Sequence, residues 1–494
     1  MNALSPIIAW PEAAEDDLGL ALWGAVEIAR AVRGVAMGEF QVSGVEIDSR
    51  DVVPGDLFFA LKGESMDGHK FVDAAFAKGA AAVVVDRPVD GPHVLVADTA
   101  AALDLLALAA RSRTAARIVG VTGSVGKTGV KEAIFAALDR SSRGNAHRSV
   151  KSYNNHVGVP LSLARMEARS RFGVFEMGMN HAGELAALTG QVRPHVAVIT
   201  TIAPAHIEML GSIEAIADAK AEVFAGLERG GVAVIPADSP QFDQLKAAAQ
   251  KHAGAVVSFG RAAHADVRLL DAVPAPGGGS LVTADLGDRR ICYTVAEPGE
   301  HWIANSLAVM AAVRAAGGDL GAAGLALAEM QGLKGRGART TVAAGRGDGS
   351  GQALLIDESY NANPASMRAT LAQLGLTPAR RRIAVLGAMK ELGTHGPAFH
   401  AALIEPLQAA MVNHVLLVGD EMQALVDALG ADELGKPGDA ALGNRPSFAH
   451  CRTAAEALKA LKGFGVEGGD AILVKGSNSV GLGAVVAALT QNKE

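Results

Sequence analysis

Apolar residues fall along this chain in short unbroken runs, and the spacing of those runs predicts its architecture. Residues 81–85 read Ala-Ala-Val-Val-Val, 117–122 carry Ile118, Val119 and Val121, and 196–200 read Val-Ala-Val-Ile-Thr. Runs this short, bounded by glycine, proline or charge, predict strands buried on both faces; half-exposed strands would alternate apolar with polar. Between them lie stretches that read as helices: 71–79 closed by Gly79, 101–110, 129–138, 213–224, and one beginning at 300–310. Strand and helix in alternation, with no fixed-period repeat, predict α/β domains on largely parallel sheets.

At 494 residues the chain exceeds a single core, and three domains are expected, at 1–112, 113–334 and 335–494. The first is a small α/β unit: a strand at 44–50, the tight turn Pro54-Gly55-Asp56 into a strand at 57–61, a loop at Asp67-Gly68-His69, then the 71–79 helix and 81–85 strand. The second alternates strands and helices after a Gly-Lys-Thr turn and predicts a doubly wound parallel sheet, with ligands at the carboxyl ends of its strands. Its one Pro/Gly-rich interruption, 274–279, is short enough for a hairpin loop. The third, a Rossmann-like α/β unit, has strands at 353–356, 382–386, 414–418 and 471–474. The glycine-rich stretch 332–337 between the last two is a candidate hinge for rigid-body closure.

Composition narrows the class. Apolar residues make up 49% and charged residues 20%, the balance of a globular protein with a large buried core. A net charge of −7 argues against a general nucleic-acid or membrane-surface binder. Cys292 and Cys451 lie far apart, so neither a disulfide framework nor a cysteine metal site is indicated. The first eleven residues lack the basic stretch of a signal peptide, and no uncharged run is long enough to span a bilayer. A cytoplasmic enzyme is the expectation. With no heptad or large apolar patch to read, the sequence is silent on oligomeric state, and a monomer is the default.

The chemistry concentrates in Thr122, Gly123, Ser124, Val125, Gly126, Lys127 and Thr128, between the run at 117–121 and the helix that follows. In a strand–glycine turn–helix, successive backbone N–H groups point at one spot and the helix N-terminus adds about half a positive charge. Lys127 can reach β- and γ-phosphates, and the Thr128 hydroxyl can sit on Mg²⁺. Val121 stands where the strict phosphate-loop pattern has glycine. Glu176 ends the run Val174-Phe-Glu, and His206 and Glu208 follow the run at 196–200. In an open parallel sheet both fall on the rim that carries the phosphate loop. Thr128, Glu176 and phosphate oxygens make an ordinary magnesium set, although Glu176 reads equally as a solvated strand end and His206 as a hydrogen-bonded loop histidine. Lys220, on the 213–224 helix, reads on its own as a surface lysine. Gly158-Val159-Pro160 after Asn154 and Asn155 reads as a turn, and Asp48-Ser49-Arg50 as a solvated strand end. In the third domain Asp357 closes a strand and Ser359, Tyr360, Asn361 and Asn363 crowd the next loop. With the loops at 386–393 and 474–478 they suggest a crevice, and a phosphate loop facing a crevice suggests a ligase that joins two substrates after phosphoryl transfer.

These blocks, running in order from Asp48 to Ser477, resemble the Mur ligase family. Thr122–Thr128 looks like its ATP loop; Asn154 to Pro160, Glu176 to Glu184, Ala205 to Glu208 and Ala219 to Phe224 resemble its next blocks. Asp357-Glu-Ser-Tyr-Asn-Ala-Asn-Pro364 is similar to the block of the member that adds D-alanyl-D-alanine. The resemblance implies ATP, two Mg²⁺ ions, and the substrates UDP-MurNAc-tripeptide and D-Ala-D-Ala, joined through an acyl phosphate for peptidoglycan synthesis. It implies catalytic roles for Lys127, His206, Lys220 and Asp357. Arg336, Asp357 and Asn361 would join the loop in holding nucleotide. Thr128, Glu176, His206 and a carbamylated Lys220 would hold metal. Ser49, Asn154, Asn155, Tyr360 and Asn363 would meet substrate, the first domain taking the UDP end.

Four positions depart from the family pattern: Thr201 for Asn, Pro236 for Asn beside the expected adenine, Ala388 for Asp, and Asn478 for Arg. They bear on adenine and dipeptide binding, while the phosphate and metal residues are intact. Two other readings share the chemistry in part: another ligase of the superfamily, such as an amino-acid-adding Mur enzyme or folylpolyglutamate synthase, and a phosphate-loop switch that hydrolyses nucleotide without an amine acceptor.

Overall fold

The computed structural model describes residues 21–63, 66–276, 278–344, 351–431 and 445–491. The first eleven residues, read above as unlike a signal peptide, lie outside that set, as does Gly277 of the 274–279 connection. Contacts divide the chain into two units, Met1–Thr114 with Pro160–Ala168, and Ala115–Val159 with Arg169–Glu494.

The first unit is built on a five-stranded sheet in the order Val35–Met37, His93–Leu95, Ala82–Val85, Asp56–Phe59, Gly44–Glu46, parallel except for the first strand. Phe58, Val83 and Val85 are buried with Val72 and Ala75 of the helix Val72–Ala77. The helix expected at 101–110 runs over Thr99–Ser112, because Asp98 accepts from the amides of Ala100 and Ala101 and so starts it earlier. His69 is clasped between Asp67 Oδ1, 2.8 Å from Nδ1, and Asp86, whose amide donates to Nε2. The Arg87 guanidinium holds the Asp67 carboxyl well below the usual carboxylate range. Ser49 sits in the turn after Gly44–Glu46, half-buried.

The second unit holds two sheets. The larger has nine strands in the order Arg290–Val295, Ser280–Asp285, Val267–Pro274, Ala255–Gly260, Val232–Pro236, Val196–Ile199, Arg117–Thr122, Phe172–Glu176, Ala146–Arg148. From Val267–Pro274 onward every pairing is parallel. After Arg117–Thr122 the chain moves out to Ala146–Arg148, returns through Phe172–Glu176, then crosses to the other side with Val196–Ile199. The order therefore reverses at Arg117–Thr122, and a crevice opens beyond its carboxyl end. The strands are buried, and the face carrying Val119, Val121, Val174 and Val198 packs against Ile134 and Leu138 of the helix Lys127–Ser142 and Leu307 and Val309 of Glu300–Ala316.

Two expectations need correction here. The sheet is not parallel throughout: Val267–Pro274, Ser280–Asp285 and Arg290–Val295 pair antiparallel, since the short connections at 275–279 and 286–289 permit only hairpins, with no room for a crossover helix. Residues 158–160 are not a turn; they open the helix Gly158–Ala164, where Pro160 in the first turn forfeits no helical hydrogen bond.

The smaller sheet has six strands in the order Ala338–Ala343, Gln352–Glu358, Ala471–Lys475, Arg382–Gly387, His414–Val418, Ser447–Cys451, parallel except for the first. The four strands expected in this domain are its middle four. Both edge strands escaped the sequence reading, being half-polar where the inner strands are uniformly apolar.

Candidate active site

The phosphate loop stands at the reversal point of the large sheet. Gly123 has φ +144°, and a Cβ there would lie 2.0 Å from Thr200 Oγ1; Gly126 has φ +86° and faces the Asn305 amide in the same way. Glycine is therefore required at both, and the Thr200 hydroxyl uses the space to donate to the Val125 carbonyl at 2.6 Å. The Ser124 amide is committed to the Thr201 carbonyl, and its hydroxyl donates to the Ala203 carbonyl. Among the described residues, the amides of Val125, Gly126, Lys127 and Thr128 have no acceptor. Four aligned, unpaired donors at a helix N-terminus make an anion cradle. Lys127 folds back to donate to the Gly123 carbonyl at 2.8 Å, and burial, then Arg336, lower its pKa. Thr122 is fully buried with an unpartnered hydroxyl.

Beneath the loop, Thr128 Oγ1 donates to Glu176 Oε2 at 2.7 Å and Asn154 Nδ2 to Oε1 at 2.7 Å. Glu176 is 0% exposed, which removes the reading as a solvated strand end. Lys127 is near enough to feel its charge, but no ion pair closes within 4 Å among the described residues, which leaves the carboxylate open to a metal cation. No three His, Cys, Asp or Glu side chains gather as a metal site among the described residues. The donors are thus one carboxylate and one hydroxyl, leaving most positions to water or phosphate, as Mg²⁺ prefers.

Lys220 is 2% exposed and so not a surface lysine. Its side chain makes no hydrogen bond or ion pair with a described residue, and burial, then Lys127, hold its pKa well below normal. His206 begins the short helix Ile207–Leu210 with φ +60°, and its Nδ1 lies 2.5 Å from Glu391 Oε2, off line for a hydrogen bond.

A cavity of about 440 Å³ is walled on one side by Lys127, Glu176 and Asn154, and on the other by Tyr360, Asn361 and Asn363. His206 lines both this cavity and an adjoining one of about 320 Å³, with Lys390 and Ser477. Arg336 reaches across: its guanidinium stacks 4.2 Å over the Tyr360 ring and lies 3.5 Å from Ser152 Oγ. Asp357 accepts from the Gly335 amide at 2.8 Å and from the amide and hydroxyl of Ser359, pinning the crossing segment to its strand. It lines a third cavity, of about 910 Å³, with Thr128 and Arg336. Asn155 accepts from the Gly158 amide, Asn361 from the Ala362 amide, and Asn363 caps the helix Pro364–Leu376. Ser49 belongs to the other unit.

Several cavity residues escaped the sequence reading. His301 and Asn305, polar and one turn apart near the start of a mostly apolar helix, line the cavity with Trp302, and Asn305 and Trp302 crowd Gly126 of the loop and Gly129 just after it; that i, i+4 pairing was the available signal. Burial, then Lys475, draw His301 down to about 4. Of the four departures, Thr201 lines the main cavity and Asn478 the other two, while Pro236 and Ala388 are buried outside these linings.

Three family models match in register with these elements: the Mur ligase family catalytic domain at 41–118, the Mur ligase middle domain at 121–313, and the Mur ligase glutamate ligase domain at 342–478. A UDP-N-acetylmuramoyl-tripeptide–D-alanyl-D-alanine ligase of Synechocystis is 36% identical over 460 residues, 91% of this chain and 92% of that one. The chain belongs to the Mur ligase family. Among solved structures it is similar to MurF from Acinetobacter baumannii, with TM-score 0.78 and 28% identity over 96% of this chain and all of that one. MurF from Thermotoga maritima in complex with ADP matches at TM-score 0.70 and 25% identity over 91% of this chain and 97% of that one. The three-domain Mur ligase architecture expected from the sequence is the one these structures share. No helix among the described residues is long and apolar enough to cross a membrane.

Proposed function

We propose that this chain is the ATP-dependent ligase that joins D-alanyl-D-alanine to UDP-N-acetylmuramoyl-tripeptide, giving UDP-MurNAc-pentapeptide, ADP and phosphate for peptidoglycan synthesis. The observation that carries the reading is the 440 Å³ cavity, with a phosphate loop on one wall and the Tyr360-Asn361-Ala-Asn363 loop on the other. The division at 1–112, 113–334 and 335–494 is then functional: the UDP end with Ser49, the ATP and metal site, and the acceptor side. A supply of ATP and a nucleotide-linked precursor place the reaction in the cytoplasm, and the chain acts as a monomer.

The γ-phosphoryl group passes from ATP to the tripeptide's terminal carboxylate, giving an acyl phosphate and ADP. The amine of D-Ala-D-Ala attacks the acyl carbon and loses a proton, and the tetrahedral intermediate expels phosphate. Such chemistry turns on positioning and charge neutralisation. The free amides of 125–128 and Lys127 would grip the phosphates, Arg336, Asp357 and Asn361 the rest of the nucleotide, and Asn154, Asn155, Tyr360 and Asn363 the substrates. Thr128 and Glu176 would hold one Mg²⁺, with His206 and Lys220 at a second. The ion supplies positive charge to the phosphoryl oxygens. Burial lowers the Lys220 pKa and so favours the neutral, nucleophilic amine; Lys220 would add CO₂, release a proton, and present an anionic carbamate where an ammonium would repel metal.

The test is ADP release with UDP-MurNAc-tripeptide, with and without D-Ala-D-Ala. Turnover that needs both supports the ligase; no ATP consumption with both present refutes it, and turnover indifferent to the acceptor favours a hydrolytic switch. Lys220→Ala is expected to lose activity that short carboxylates partly restore. Full activity in that variant removes the carbamate.

A further inference from the structure

Lys475 is the last residue of the strand Ala471–Lys475, at the centre of the smaller sheet, paired in register with Glu358 on one side and Leu386 on the other. A lysine ending a central strand normally extends into solvent; this one is 2% exposed and lines the 440 Å³ cavity. Its ammonium donates to the Asn361 carbonyl at 3.0 Å and to Glu358 Oε2 at 3.3 Å. No acceptor among the described residues takes its third proton. Arg336 and His301 are near enough for its charge to be felt, and all three line the same cavity.

The loop it grips is otherwise held at its two ends and by Ala362, which is buried in the core of the smaller sheet. Residues 359–363 leave the strand at Glu358 and enter the next helix at Asn363. Ser359 is held by Asp357 and Asn363 by its own helix. Tyr360 hangs from its amide bond to the Gly335 carbonyl and from the Arg336 stack. Asn361, midway, has its side chain committed to the Ala362 amide and its carbonyl to Lys475. A buried cation on a carbonyl is a strong charge-assisted bond. Without it that carbonyl, and the backbone between Tyr360 and Ala362, would be free to move.

We propose that Lys475 is the positioning residue for the acceptor: its ammonium locks the Asn361 carbonyl and thereby fixes how the 360–363 loop presents itself to the dipeptide. This rests on the ligase reading above. Of Asn361, Lys475 holds only the carbonyl, while the side chain, which the ligase reading gives to the nucleotide, keeps its own bond to the Ala362 amide. Lys475 grips no part of the phosphate loop either, so its removal loosens the acceptor side and leaves nucleotide binding in place. The Glu358 carboxylate balances its charge, which is why a lysine is tolerated there.

The experiment measures KM for D-Ala-D-Ala and for ATP separately in the full-length protein, with melting temperature as a folding control. Lys475→Met is expected to raise the dipeptide KM tenfold or more with the ATP KM within twofold. Lys475→Arg keeps a cation that can still reach the carbonyl, and serves where the methionine variant does not fold. It is expected to shift the dipeptide KM threefold or more, again without moving that for ATP. An unchanged dipeptide KM in a folded variant, or both KM values rising together, overturns the proposal. Absence of ligation by the wild-type protein would overturn the ligase reading itself, so the two failures are distinct.

Discussion

Glu297 sits just ahead of the helix Glu300–Ala316 and is 7% exposed. A Cβ on Gly337 would lie 3.5 Å from its Oε2 and 3.6 Å from Glu358 Oε1, so two carboxylates close on the segment that joins the two sheets. Burial, and then the neighbouring Glu358, push Glu297 up from 4.5 to about 7, against a partial pull from Arg339. A carboxyl whose folded pKa is raised binds its proton more tightly in the folded state. Its contribution to stability is therefore fully present below about pH 4.5 and is lost as pH rises through 7. At about 1.4 kcal/mol per pH unit the loss comes to at most about 3.5 kcal/mol. Glu297→Gln keeps the shape and cannot ionise. Chemical denaturation of both proteins at pH 5 and pH 8.5 should therefore show a small difference in acid. In base the variant should be more stable, by on the order of 2–3 kcal/mol. A difference that stays flat across this range would refute the buried-acid assignment, and one that grows toward acid would reverse its sign.

Three further outcomes follow from the geometry. Lys127→Met should lower the ADP-release rate by about 10²–10³, because it removes a preorganised cation from the phosphate cradle; a loss under tenfold would separate Lys127 from the chemistry. Gly123→Ala places a methyl 2.0 Å from Thr200 Oγ1 at φ +144° and should abolish nucleotide binding measured by calorimetry, whereas wild-type affinity would mean the loop can re-form around it. Asn363→Ala removes the cap of Pro364–Leu376 and should cost about 1 kcal/mol in unfolding free energy. Asn363→Ser should restore that stability, so any activity it still lacks is attributable to contact with substrate.

What could be read before the structure was set by how local the determinant is. The phosphate loop was legible because its demand is local: glycines where Thr200 and Asn305 crowd the backbone, then a lysine and threonine at a helix start. The inner strands were legible because burial on both faces leaves only apolar residues. Edge strands such as Ala338–Ala343 carry polar residues facing out, and the run loses its signature. Lys220 shows the limit most sharply. Helical periodicity treats a lysine as an outward residue, and only the fold reveals it 2% exposed beside Lys127. Asp357 and Asn363 show the converse. Both read as ligand groups from the crowding of polar residues, yet one pins Gly335 and Ser359 and the other caps a helix. Those bonds do not remove them from the site. A side chain held by two backbone donors cannot swing away from a ligand, so the contacts that build the loop also fix its face toward the cavity. The loop at 474–478 was legible as part of a crevice, but not the bonds of Lys475: its partners are a carboxylate and a carbonyl more than a hundred residues away, and only the parallel register of Gln352–Glu358 with Ala471–Lys475 brings them together.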